Sequence, residues 1–184
     1  MSLEFYRGLY DAEWTRRDEV RQAAGFPAGV LTLLAGVLVF YARTYSDSRT
    51  WAATLFVGSF AAALIAFCVA VYMLARSLFG PKYLRIPWPS QIRDYEEGLI
   101  KFYRGKPDAE ALATRDWETD LIDRYVHAAN RNAENNANAG EYLYKANRAV
   151  VVTLFVVALG AIPVVHDVRA NRDVPQAVEI INLE

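Results

Sequence analysis

A run of asparagines, Asn130, Asn132, Asn135, Asn136 and Asn138, crowds one short stretch of the chain, and Lys101, Arg104, Lys106 and Arg115 flank a turn beside Tyr103 and Trp117. The chemistry these groups suit is ligand recognition. Paired amide donors and acceptors suit a base such as adenine. Cations interleaved with stackable rings suit a single-stranded nucleotide. Arg124, Tyr125 and Arg131 follow on the same helix and extend the candidate ligand set. Each group also has a plainer reading. Asparagine on a helical seam sets register and oligomer number, where the functional reading is a polar constriction or amides that face a ligand, and the basic residues fit the ordinary positive charge of a cytoplasmic membrane face.

The element that must position these groups runs from Thr114 to about Val165. Leu121, Tyr125, Ala128, Asn132, Asn135, Ala139, Tyr142, Ala146 and Ala149 recur at three and four residues, which is a heptad seam. Its flanks are charged, whereas Ala149 to Val165 holds no charge. One helix is therefore expected to stand in water and enter the bilayer as a unit. Self-association through the seam makes Asn132, Asn135, Asn136, Tyr142, Ala146 and Thr153 the candidate seam or pore residues.

No catalytic constellation accompanies them. His127 and His166 fall on opposite sides of the membrane in the topology derived below, and no phosphate loop, nucleophile elbow or metal-spaced cluster occurs. Asp116, Glu118, Asp120 and Asp123 read as a solvated helix face. Cys68, the single cysteine, lies in an apolar run, which excludes an intrachain disulfide. The expectation is a protein that is not an enzyme and uses no metal or cofactor. A net charge of -1 provides no global attraction for nucleic acid, so any anion site must come from local clustering.

Apolar content of 54% is concentrated in three runs instead of being spread at core periodicity. Ala23 to Ala42 and Trp51 to Ala75 carry no charge, and each is about as long as a bilayer core requires. No Asp, Glu, Lys, Arg or His lies in any run, which disfavours a pump and leaves room for a passive pore. Gly58, Ala62, Ala66 and Ala70 form a small-residue stripe on the second run, suited to packing on the first helix or on another subunit. Ahead of the spans, Leu3, Tyr6, Tyr10 and Trp14, with Phe5 and Leu9, give an amphipathic helix for a headgroup boundary or for a neighbouring subunit's rod.

Basic residues crowd the amino terminus and the Arg76 to Arg148 segment, so both are expected to face the cytoplasm. Ser46 to Thr50 and the tail then face outward. Pro81, Pro87 and Pro89 forbid a helix at the entry to the cytoplasmic region; Ser90 is the expected cap of a helix to Tyr103, Asp108 of a short turn, and Thr114 of the rod. The organisation is an interfacial helix (1–22), spans at 23–43, 51–76 and 148–166, a cytoplasmic regulatory region (80–147) and an external tail (167–184). The fold class is an all-α membrane protein of the inner membrane. It has three transmembrane helices, an amphipathic N-terminal helix, and a small helical cytoplasmic region whose long helix is continuous with the third span.

The opening FYRGLYDAEWTRRDEV, the Pro-started apolar helix after it, and AANRNAENNANAGEYLYKANRAVVVTLFVVALGAIP resemble a family of small bacterial three-span membrane proteins encoded beside nucleotidyltransferases. These are the membrane effector subunits of Hailong antiviral defence systems. The resemblance covers most of the chain. It implies a homotetrameric channel-like effector, held closed by single-stranded deoxyadenosine oligomers from the partner nucleotidyltransferase, whose loss during infection releases a toxic ion flux. Related two-span effectors respond to their ligand with the opposite sign. On the residues alone, a non-conducting membrane scaffold that recruits a partner through the rod is the alternative.

Overall fold

The computed structural model describes residues 2–44, 51–80 and 82–172, with the side chains of Thr44, Ala52 and residues 166–172 excepted. Residues 45–50, where an outward-facing turn is expected, Pro81 and the tail beyond 172 lie outside the described residues, as does the His166 side chain. Among the described residues there are five helices and no strand: α1 (Leu3–Ala23), α2 (Gly25–Thr44), α3 (Trp51–Leu78), α4 (Pro89–Tyr103) and α5 (Ala109–Arg172). Three of its helical stretches are long and apolar enough to cross a membrane. The protein is an all-α, multi-pass membrane protein.

It divides into two compact units. One comprises Met1–Ala24 and Ala75–Leu143; the other comprises Gly25–Leu74 and the residues from Tyr144 on. The amino-terminal helix is thus not a separate segment but part of the same unit as the 80–143 region. Helix α5 supplies residues to both units and carries Pro163 inside its apolar part.

In the apolar unit, three helices share one core. Leu31, Leu34 and Leu38 of α2 are buried, as are Phe56, Ala63, Ala70 and Leu74 of α3, and Ala146, Val150, Thr153, Val157 and Val164 of α5. The α5 set continues the three-four alternation, so the heptad seam is real, but it is closed within one chain. Ala146 and Thr153 are fully buried, and the Thr153 hydroxyl donates to Ala149 O at 2.8 Å. In this arrangement neither residue lines a pore or a subunit contact. The small-residue stripe packs within the chain only in part: Ala70 is buried, whereas a Cβ on Gly58 would meet nothing within 4 Å and Ala62 is exposed. Four-residue steps advance about 400° and drift around the helix, whereas the buried Phe56, Ala63 and Ala70 recur at seven residues and keep one face.

Close approach occurs instead at Gly160, where an added Cβ would lie 3.2 Å from Ser59 Oγ and 3.7 Å from Tyr41 Cε2. The Tyr41 hydroxyl donates to Val157 O at 3.3 Å and joins α2 to α5. Leu33, Val57, Ile65, Val151 and Phe155 remain exposed, as expected where lipid is the solvent and helix association depends on packing.

In the other unit, α1 lays one side on α5 and on the extended segment before α4. Tyr10 meets Tyr125 edge to face at 5.6 Å, and the Ile86 amide donates to Tyr10 Oη at 3.4 Å. The aromatic side therefore packs on the chain's own rod, not on a neighbour's, while Phe5 and Leu9 are exposed on another side. Helix α4 begins at Pro89, a first-turn position that proline suits, and Gln91 Oε1 accepts from the Trp88 amide at 3.3 Å, so Ser90 is not its cap. Gly105, at φ 86°, and Asp108, at φ 59°, shape the turn after α4. From Ala109 the rod runs without a separate first turn; Asp108 O accepts from Leu112 N–H at 3.0 Å, and Thr114 lies inside the helix.

Candidate ligand site

The asparagines are the fasteners of the first unit. Asn132, Asn135 and Asn136 are 0%, 2% and 1% exposed, and all three spend their amides inside the chain. Asn132 Nδ2 donates to Leu84 O at 3.0 Å while the Leu84 amide donates to Asn132 Oδ1 at 2.9 Å. Asn135 Nδ2 donates to Lys82 O at 3.2 Å. Asn136 Nδ2 donates to Glu13 O at 2.7 Å and to the Glu13 carboxylate at 2.8 Å, and its Oδ1 accepts from the Tyr83 hydroxyl. Pro87 and the Pro89 after it deny this segment a helical ladder, so its backbone groups need side-chain partners, and the asparagines supply them. Asn132 and Asn136 are therefore not amides open to a ligand, while Asn135 also reaches the wall of a cleft.

The basic residues predicted to gather phosphates do not converge. Lys101 and Arg104 are exposed. Lys106 Nζ lies over the rings of Phe102 and Tyr103, at 5.1 and 4.8 Å. The Tyr103 hydroxyl donates to Asp116, which holds the Tyr103 phenol above its ordinary pKa. Arg115 lines a shallow depression with Asp108, Glu110 and Glu118, whose carboxylates repel an anion. Arg131 pairs with Glu134 at 3.0 Å, and Tyr125 is engaged by Tyr10. Arg124 pairs with Asp120 at 2.6 Å, which raises its pKa further. Trp117 and Arg124 do share a cleft of about 310 Å³ between α4 and α5, with Tyr95, Gln91 and Ile92. Tyr142 lies half-buried with Arg76 over its ring at 5.3 Å.

The convergent site is elsewhere in the same unit. Trp14, Arg17, Val20 and Arg21 recur at three and four residues along one side of α1 and face the extended stretch that carries Lys82, Tyr83 and Arg85. Together with the end of α3 and with Asn135 and Ala139 of α5 they enclose a cleft of about 500 Å³. The Arg17 guanidinium lies 4.9 Å from the Trp14 ring and 4.7 Å from the Tyr83 ring, and Arg85 lies 5.9 Å from Trp14. The two rings are 5.7 Å apart, tilted by 39°. Burial pushes the Tyr83 phenol up; Arg17 and Arg21 oppose that shift, and Glu13 adds to it. Arg17, Arg21, Lys82 and Arg85 line the cleft, and no aspartate or glutamate does.

Two buried donors in its walls, Arg17 Nε and Trp14 Nε1, have no acceptor. Both have their hydrogen-bonding capacity unspent, which is costly in a buried setting. The arrangement can hold an anion by charge and a flat group by stacking. In the sequence the two strips are separate: the α1 spacing reads as a side for a headgroup boundary or for a neighbouring subunit's rod, and the cations of the Arg76 to Arg148 segment read as cytoplasmic-face charge. Among the described residues no group of three His, Cys, Asp or Glu is placed to hold a metal ion.

The class defined here is a multi-pass α-helical membrane protein with a basic, aromatic-walled cleft in its less apolar unit. Comparison with protein-family models, curated proteins and solved structures finds no match.

Proposed function

We propose that this protein is an oligomeric, ligand-regulated ion channel or membrane-disrupting effector of bacterial antiviral defence, similar to the Hailong membrane subunits. Its controlling ligand is a nucleotide or a single-stranded deoxyadenosine oligomer made by a partner nucleotidyltransferase. It works in the inner membrane with its N-terminus cytoplasmic and its C-terminus external. The observation that carries this reading is α5, a single helix whose Asn135 and Ala139 wall the basic cleft and whose Val150, Thr153 and Val157 are core residues of the apolar unit. A ligand that prefers one setting of the helix at the cleft biases its apolar part, and differential affinity of a few kcal/mol shifts a two-state equilibrium decisively. Oligomerisation, if it follows the proposal, uses surfaces other than the seam, which is closed within the chain.

Purified protein in liposomes tests the proposal. An effector of this kind passes ions, and the flux changes when the oligonucleotide is added. A scaffold shows no flux under any condition, and that result overturns the proposal.

A further inference from the structure

We infer that the cleft walled by α1 and the 82–85 stretch binds a phosphate group. This deepens the proposed function by naming where its ligand attaches, and the binding itself does not depend on channel activity. Lys82 and Arg85 are exposed cations at the cleft, and Arg17 is half-buried with its Nε lacking an acceptor. A carboxylate in the walls would have satisfied these groups and closed the question, as Asp120 does for Arg124 in the other cleft. Glu13 of α1 gives its backbone oxygen and its carboxylate to Asn136, and Asp18 and Glu19, between Arg17 and Arg21 in sequence, are exposed and do not line the cleft. The positive charge is therefore left for an incoming anion.

Phosphate suits the site better than a simple halide or a carboxylate. Its several oxygens can accept from a guanidinium fork and an ammonium together. The Trp14 and Tyr83 rings beside those donors offer a face to whatever flat group the phosphate carries. Once bound, the phosphate fastens α1 to the 82–85 stretch, two parts of the unit otherwise joined through Asn136, Tyr10 and ring contacts. The phosphate can belong to a soluble nucleotide or to an anionic lipid headgroup, and the chemistry at the cleft is shared.

The test uses the full chain in phosphatidylcholine nanodiscs. In one arm a fluorescent, 5′-phosphorylated short deoxyadenylate is titrated; in the other, phosphatidylglycerol is introduced into the disc and its retention on the protein is read by native mass spectrometry. Saturable binding is expected in at least one arm. It should weaken at least about tenfold in Arg17→Gln and in Lys82→Gln/Arg85→Gln, since each removes charge-assisted hydrogen bonds, and be unchanged in Arg93→Gln, outside the cleft. Lys82 and Arg85 are exposed, so their replacement does not threaten folding. Soluble-ligand binding indifferent to phosphatidylglycerol assigns a free nucleotide. Lipid retention that blocks the soluble probe assigns a headgroup. No binding in either arm, wild-type affinity in the Lys82/Arg85 variant, or equal weakening by Arg93→Gln overturns the inference. Flux without cleft binding sinks this inference alone, whereas cleft binding without flux sinks the proposed function alone.

Discussion

Asn132 and Leu84 exchange two hydrogen bonds, the amide of the side chain pairing with the backbone N–H and C=O of the residue 48 positions earlier. The side chain thereby takes the place of a neighbouring strand. Asn132→Ala leaves both Leu84 groups without partners in a part-buried site, at a cost of about 1–3 kcal/mol for each group that stays dry. Thermal unfolding in detergent should show a lower midpoint. An unchanged midpoint would mean that water replaces the amide without cost.

Tyr83 makes stability depend on alkaline pH. Its folded pKa lies above the usual 10.0, chiefly through burial, so folding favours the neutral phenol that donates to Asn136. The contribution is complete below the unfolded value and is lost as pH rises through the higher folded value. The unfolding midpoint should fall more steeply above about pH 10 in the wild type than in Tyr83→Phe. Parallel curves for the two proteins would contradict this assignment.

Gly160 and Ser59 set how closely α5 and α3 approach. A Cβ at position 160 would sit 3.2 Å from Ser59 Oγ, and that hydroxyl is held by its bond to Phe56 O at 3.0 Å. Gly160→Ala should therefore destabilise the protein by about 1 kcal/mol, the low end of what overpacking costs. Ser59→Ala removes the obstructing oxygen and should restore most of that loss. A double-mutant cycle measures the coupling, and strict additivity would show that the two helices adjust freely.

Orientation is open to chemical labelling. Cys68 is exposed on α3 and must first be replaced by alanine. In that background a cysteine at Ser48, in the segment outside the described residues, is expected to react with an impermeant thiol reagent in intact cells. A cysteine at Ala111, exposed near the start of α5, should react only after the cells are opened. The reverse pattern would turn the protein over in the membrane and place the basic cleft outside.

Sequence alone determined the spans and the continuity of α5. Charge-free runs long enough for a bilayer, and a three-four rhythm from Leu121 into the apolar segment, are local properties that no tertiary contact can erase. What covers the rhythm is not local. The seam at Asn132, Asn135, Ala146 and Thr153 would look the same whether its partner were another subunit or another part of one chain, because periodicity names a buried face and not its occupant. Only the tertiary structure decided for the same chain. It did so by folding the proline-rich stretch back onto the asparagines, where the backbone of Lys82 and Leu84, deprived of a helical ladder, finds its hydrogen-bond partners. That same fold brings Arg17 against Tyr83, and a basic cleft exists only once two strips about 65 residues apart in sequence are brought together.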